Sequence, residues 1–236
     1  AETAKLLNPE KTVHIPDLSA GCSLAESIRP EDVRLLRQTY PGVPIVTYVN
    51  TSAAVKALSD ICCTSGNARA VIESLGVERV IMLPDEFLAR NVAAETSVKV
   101  VAWSGHCEVH ERFNAEEVRQ LREDYPGVIV LAHPECPPDV VAEADFSGST
   151  AAMSSYVSKN RPPRIVLLTE CSMSDNVAIQ YPELEFIRPC NLCPHMKKIT
   201  LRNIRRALET MQHEVHIRPE IAVPARRAVE RMLAVK

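Results

Sequence analysis

Short apolar runs alternate with amphipathic stretches along this chain, and the pattern returns at a fixed interval. Residues 31–40 carry Val33, Leu35 and Leu36 at helical spacing and run into Pro41-Gly42, which predicts a helix that stops there. Val43–Val49 is a β-branched apolar run, the signature of a strand covered on both faces. Ser52–Leu58 reads as a short helix, and Asn67–Leu75 as a helix closed by Gly76. Val80–Leu83 and Ser97–Trp103 predict two further strands. Strands alternating with helices imply parallel sheets sandwiched by helices, with ligands at the loops that follow strand C-termini.

The repeat is explicit. Val33–Val43 returns as Val118–Val128 with eight of eleven positions identical, at an offset of 85. The same offset pairs Val55 with Val140, Asp60 with Asp145, and Asn91-Val92 with Asn176-Val177. It also pairs Asp85 with Glu170, each just after an apolar strand. Ile199–Leu208 matches the helix starts at Ile28 and Phe113, and Ala1–Leu7 matches the region Glu86–Val92. The expected organisation is residues 1–20 as the tail of an incomplete first α/β unit and 21–105 as a second unit. Residues 106–192 are then a third unit, and 193–236 a C-terminal helical segment returning to the first. On this reading roughly sixty residues of an upstream unit lie outside the chain.

Composition narrows the function classes. Among 236 residues, 27 Lys and Arg face 30 Asp and Glu, a net charge of -3, which argues against the basic face of a nucleic-acid binder. No apolar run approaches the ~20 residues of a membrane span, so the expectation is a cytoplasmic protein with neither nucleic-acid nor membrane partners. Eight cysteines in such a chain are expected as thiols or metal ligands rather than disulfides. Glycine is scarce, and no P-loop, G-x-G-x-x-G, G-x-S-x-G or H-E-x-x-H motif occurs.

The repeat makes equivalent positions comparable. Cys22 maps onto Cys107 at offset 85, and Cys107 onto Cys193 at offset 86, each expected after a strand and before a helix. Three thiolates meeting at one axis form a soft site suited to zinc or an iron–sulfur cluster. A [4Fe–4S] cluster on three cysteines leaves one iron free to act as a Lewis acid. Single cysteines are also ordinary buried hydrophobes, and Cys190-x-x-Cys193 alone reads as half a zinc site. Cys62, Cys63, Cys136, Cys171 and Cys190 have no partner at the repeat offset and read as structural.

Tyr48-Val49-Asn50 aligns with His133-Pro134-Glu135, both after an apolar strand. Glu135 is the only carboxylate among them and the candidate general acid/base. His133 fits proton transfer or phosphate contact, and Tyr48 and Asn50 fit orientation of a small polar substrate. Alternatively, Tyr48 is a core tyrosine and His133 a turn residue. Ser65 after Thr64, and Ser149 with Thr150, both precede a helix, where hydroxyls and free N–H groups receive anions or merely cap the helix. His106, His110 and His195 flank the three cysteines, while His213 and His216 read as surface residues.

These motifs carry a resemblance to the quinolinate synthases, the A-proteins of bacterial NAD biosynthesis. It runs through Ala20–Ala25, Tyr48–Ala53, Cys63–Ala68, Trp103–Glu111, His133–Cys136, Asp145–Thr150 and Cys193–Thr200, spanning the whole chain. The resemblance implies an α/β fold: a pseudo-threefold repeat of three-layer α/β/α units with short parallel sheets, cluster and active site at the central axis. It implies a transferase-type condensation of iminoaspartate with dihydroxyacetone phosphate, giving quinolinate, phosphate and water. It implies a [4Fe–4S] cluster on Cys22, Cys107 and Cys193 and catalytic roles for Glu135, Tyr48 and His133. Substrate and phosphate contacts fall on Tyr48, Asn50, Ser65, His133, Glu135, Ser149 and Thr150. The oxidase or dehydrogenase that makes iminoaspartate is an implied partner. The family's N-terminal stretch, which supplies a His and a Ser to the phosphate side, has no match here. The alternatives are a non-catalytic metal-binding structural module, an inactive fragment of the enzyme, or a metal-free phosphate-binding lyase using Glu135 and Tyr48.

Overall fold

The structure, a computed structural model, describes residues 1–235 and consists of two four-stranded parallel sheets with helices on both faces. In the first sheet β1 (Ile45–Tyr48) and β3 (Arg79–Leu83) are central, flanked by β2 (Ile61–Cys63) and β4 (Lys99–Ala102), in the order β2-β1-β3-β4. The second sheet repeats this with β5 (Ile129–Ala132), β6 (Phe146–Ser147), β7 (Arg164–Leu168) and β8 (Glu185–Ile187), in the order β6-β5-β7-β8. Equivalent registers hold: Val46 faces Ile61 and Met82, as Leu131 faces Phe146 and Leu167. The α/β class with repeated units and short parallel sheets is therefore present. Among the described residues there is no third sheet.

The three strands expected per unit become four. The extra strands, Ile61–Cys63 and Phe146–Ser147, are three and two residues long, too short for any alternation to show in sequence.

The same residues build both units. Helices α3 (Pro30–Thr39) and α7 (Ala115–Asp124) lead into Tyr40-Pro41-Gly42-Val43 and Tyr125-Pro126-Gly127-Val128. Gly42 and Gly127 have φ of 77° and 80°, the left-handed position that a type II turn demands after proline. Asp60 and Asp145 each tie a strand to the preceding helix. Their Oδ2 atoms accept from Ile45 N–H (2.7 Å) and Val130 N–H (2.8 Å), and from Arg37 and Arg122 (3.0 Å each). Their identity at offset 85 has a scaffold cause.

Each sheet is covered on both faces. Val46, Val80 and Met82 pack under α5 (Ala68–Ser74) and α6 (Glu86–Ala94), while Ile45, Ile81 and Leu83 pack with Val33 of α3 and Val55 of α4 (Ala53–Ala57). The second sheet mirrors this with α7 and α8 (Pro138–Glu143) on one face and α9 (Thr150–Asn160) and α10 (Cys171–Gln180) on the other. The edge strand β2 is closed by α12 (Pro219–Leu233), through Ala228, Val229 and Met232.

The first and last segments meet. Val215 N–H donates to Val13 C=O (2.8 Å), and Ile15 N–H to His213 C=O (3.1 Å). Helix α1 (Glu2–Leu7) buries Leu6 against Ala225 of α12. Helix α11 (Leu201–Thr210) is the counterpart of α3 and α7 and starts in a capping box between Thr200 and Asn203. Its apolar positions Leu201 and Leu208 are exposed. His213 and His216 are exposed as well.

Candidate active site

The short loops after β1 and β5 put equivalent side chains at equivalent places. Tyr48 ends β1 and is buried, with its hydroxyl in hydrogen-bonding reach of Glu135 and Ser65. His133 and Glu135 follow β5 and are also buried. The Glu135 N–H donates to His133 Nδ1 at 3.3 Å. That acceptor role puts the proton of the neutral His133 ring on Nε2.

Three groups surround the Glu135 carboxylate. His110 Nδ1 lies 3.0 Å from Oε2, His133 Nδ1 lies 4.0 Å from Oε1, and the Tyr48 hydroxyl is the third. Burial by itself would raise the Glu135 pKa; His110, His133 and Tyr48 outweigh it and hold the carboxylate ionised, well below its usual range. Burial pushes His133 down to about 4, against the pull of Glu135, so its ring is neutral at pH 7. Burial, reinforced by Glu135, pushes the Tyr48 phenol well upward, so it keeps its proton. The arrangement is one buried carboxylate with two imidazoles and a phenol packed around it, a layout suited to moving protons on a bound substrate.

Asp85 is a further buried acid beside this group. It caps α6, accepting from Leu88 N–H at 2.8 Å, and its Oδ2 has no partner. Burial and then the Glu135 charge raise its pKa, so of the two carboxyls Asp85 is the one that retains a proton.

Cys22, Cys107 and Cys193 are free and half-buried. Cys22 feels the charge of Cys193, and Cys107 that of Cys22, so the three thiols share one neighbourhood. Burial, the largest effect on both, raises the pKa of Cys22 and Cys107, and in Cys107 the negative charge of Glu135 adds to it. A thiol site strained in this way is relieved by a bound cation or cluster. Their loops are stitched together. Ser23 Oγ donates to His106 C=O (3.0 Å) and accepts from Glu108 N–H (3.1 Å), and His195 Nε2 lies 2.9 Å from Glu108 Oε1. The residues present thus fit a group held by three thiolates. A second donor set overlaps it, because ligand atoms of Cys107, His110 and Glu135 all lie within 4.8 Å of one another.

Two expectations about cysteines need correction. No strand precedes Cys22 within the described residues; it lies directly before the short helix α2 (Ser23–Glu26), as its N-cap. Cys171 and Cys190, expected as thiols, form a disulfide, because the start of α10 and the segment leading to Cys193 bring their Cα atoms within 5.2 Å. Cys62, Cys63 and Cys136 are fully buried core thiols, with Cys62 pushed up to about 11 by burial.

The hydroxyl loops face one another across a cleft of about 480 Å³, lined by Ser65, Gly66, Ser147, Gly148 and Ser149 with Asn91 and Pro134. A Cβ on Gly66 would stand 3.2 Å from Ser149 Oγ, so the absence of a side chain lets the loops approach. Ser65 joins this cleft to Tyr48. Thr150 is exposed at the start of α9, and Asn50 is exposed beyond Tyr48. Ser149 Oγ accepts from Ala152 N–H and so caps α9 as well.

Sequence reasoning left His110, Asp85 and Thr169 without roles. Asp85 was visible as the counterpart of Glu170, and His110 as the third residue after Cys107, but burial singles them out and only packing reveals it.

Repeated parallel α/β units, with a buried carboxylate–imidazole cluster beside free thiols at the unit junction, define the class as an α/β protein of repeated units. Comparison with known proteins makes this specific. Residues 1–234 match the family model described as Quinolinate synthetase A protein. The chain is 78% identical over 235 residues to quinolinate synthase 2 of Mesorhizobium japonicum, covering all of this chain and 72% of that protein. It is 75% identical to quinolinate synthase of Agrobacterium fabrum and 74% identical to that of Xylella fastidiosa, covering 68% and 69% of them. The chain belongs to the quinolinate synthase family. Among the described residues no helix is long and apolar enough to cross a membrane.

Proposed function

We propose that this chain carries the catalytic centre of a quinolinate synthase that condenses iminoaspartate with dihydroxyacetone phosphate to quinolinate, phosphate and water. The observation that carries the reading is the ionised Glu135, buried among His110, His133 and Tyr48 beside the three free thiols. The names of the relatives support the same activity.

Cys22, Cys107 and Cys193 would hold a [4Fe–4S] cluster. When bound, such a cluster supplies an iron with an open coordination position, a Lewis acid toward carboxylate or hydroxyl oxygens. The chain's own residues do the rest. Ser65 and Ser149, with Thr150 at the rim, receive the triose phosphate through hydroxyls and N–H groups of their loops. Tyr48 donates its phenolic proton to a substrate oxygen, and Asn50 closes over the polar end of the substrate. His133 offers its Nε2–H. Glu135 accepts a proton from substrate carbon or hydroxyl and returns it in the dehydration steps; its proton affinity rises once substrate takes one of its donors. An imine is readily hydrolysed, so supply by an oxidase or dehydrogenase acting on aspartate belongs to the same reading. Residues 193–236, which pair with residues 13–15, would belong to the first unit of the repeat.

The test is iron, sulfide and zinc per chain after anaerobic purification, with quinolinate formation measured on the same sample. Four irons and four sulfides with turnover support the reading. Zinc without sulfide, or a full cluster with no turnover, overturns it.

A further inference from the structure

The ring of His110 is buried at the junction of the two units and makes three contacts, of which the catalytic reading uses only the one to Glu135. His110 opens the short 3-10 turn His110–Arg112, three residues beyond Cys107. One ring face stacks on His133, with centroids 4.5 Å apart and planes 15° from parallel. Nε2 lies 3.0 Å from Oγ1 of Thr169, the residue that follows β7. Nδ1 lies 3.0 Å from Glu135 Oε2, close but not aligned as a hydrogen bond, and has no other partner.

These contacts dictate a tautomer. An ionised carboxylate only accepts, so the nitrogen facing it carries the proton. In the neutral ring, Nε2 then accepts from the Thr169 hydroxyl. A buried polar nitrogen left without a partner is costly; Glu135 Oε2, 3.0 Å away, is the acceptor that it faces. His110 thus touches both groups expected to move protons, the carboxylate edge-on and the His133 ring face-on.

We infer that His110, anchored by Thr169, is a positioning residue that fixes the Glu135 carboxylate and the plane of the His133 ring. The inference rests on the catalytic reading of Glu135. It differs from a packing role in being directional: the proton on Nδ1 matters, and the volume of the ring does not suffice.

The test is made on the anaerobically purified holoenzyme. His110→Phe keeps the ring and the stacking but loses both nitrogens. His110→Asn places an amide N–H where Nδ1 was. His110→Phe lowers kcat roughly 10–100-fold, the scale of a misplaced catalytic group, with KM changed less than about 3-fold and the iron content unchanged. His110→Asn recovers most of that loss, and Thr169→Val shows a smaller kcat loss of the same kind. Wild-type kcat in His110→Phe, or His110→Asn no better than His110→Phe, overturns the inference. A readout independent of turnover is the two-bond 15N–1H spectrum of the imidazoles. It is expected to show His110 protonated on Nδ1 and His133 on Nε2; His110 protonated on Nε2 overturns the inference. A wild-type holoenzyme that makes no quinolinate refutes the catalytic reading instead, while the tautomer still decides the geometry of His110.

Discussion

The two repeat units share one scaffold and divide the chemistry. The turn glycines, the Asp60 and Asp145 ties and the order of the strands are the same in both. At the ends of the central strands the units diverge. The first unit presents Tyr48 and the exposed Asn50, the second His133 and the buried Glu135. Equivalent loops put these residues at one junction, so a repeated frame yields an asymmetric site. A symmetric pair of carboxylates there would repel, and one of them would take up a proton. Asp85, pushed upward by burial first and by the charge of Glu135 second, carries part of this penalty.

The comparison breaks hardest at the cysteines. Cys107→Ala is expected to abolish iron binding, whereas Cys62→Ala, in the core of the first unit, retains it; iron and sulfide analysis decides, and a full cluster in Cys107→Ala refutes the shared thiol site. Next come the divergent strand ends. Glu135→Gln should lower kcat by roughly 10²–10⁴-fold with the cluster retained, while Asn50→Ala at the equivalent position raises KM about 3–10-fold and leaves kcat nearly unchanged. Equal kcat losses in the two variants would erase the division of labour.

A smaller effect concerns pH. His133 is depressed to about 4 in the folded protein, by burial against the opposing pull of Glu135. As pH falls, the unfolded chain binds the proton first, near the ordinary value of 6.5. Stability present above that value is therefore lost between pH 6.5 and about 4. The loss is on the order of 1–3 kcal/mol. Glu135, also depressed, adds a loss in the same direction at lower pH. Urea unfolding of His133→Gln should show a flatter dependence across this window; an unchanged slope would mean that His133 does not titrate as its burial requires. The smallest effect tests the shared frame. Asp60→Ala and Asp145→Ala should each cost about 1–2 kcal/mol, because each removes one acceptor from a strand N–H and an arginine. Unfolding free energies that differ severalfold would show that the two ties are not equivalent.

Much of this was legible along the chain. Helix α3, strand β3 and the turn at Pro41-Gly42 follow from local spacing and backbone preference, and the repeat carries them into the second unit. The strands β2 and β6 were not legible, because two or three residues show no period and depend on pairing with β1 and β5. Of the site, Glu135, Tyr48 and His133 were visible as strand-end groups at one repeat phase. Asn50 shares the phase of Glu135, and Thr150 that of Ser65, but both are exposed, since phase predicts the position of a backbone and not the direction of a side chain.

By itself the sequence determined the α/β class, the 85-residue repeat and the family, because each rests on local pattern or on residue identity. The tertiary structure alone decided that His110 stacks on His133 and faces Glu135, that Asp85 is buried beside them, and that Cys171 meets Cys190. Those facts depend on distance and desolvation between segments far apart in the chain. No spacing along one strand or helix encodes them.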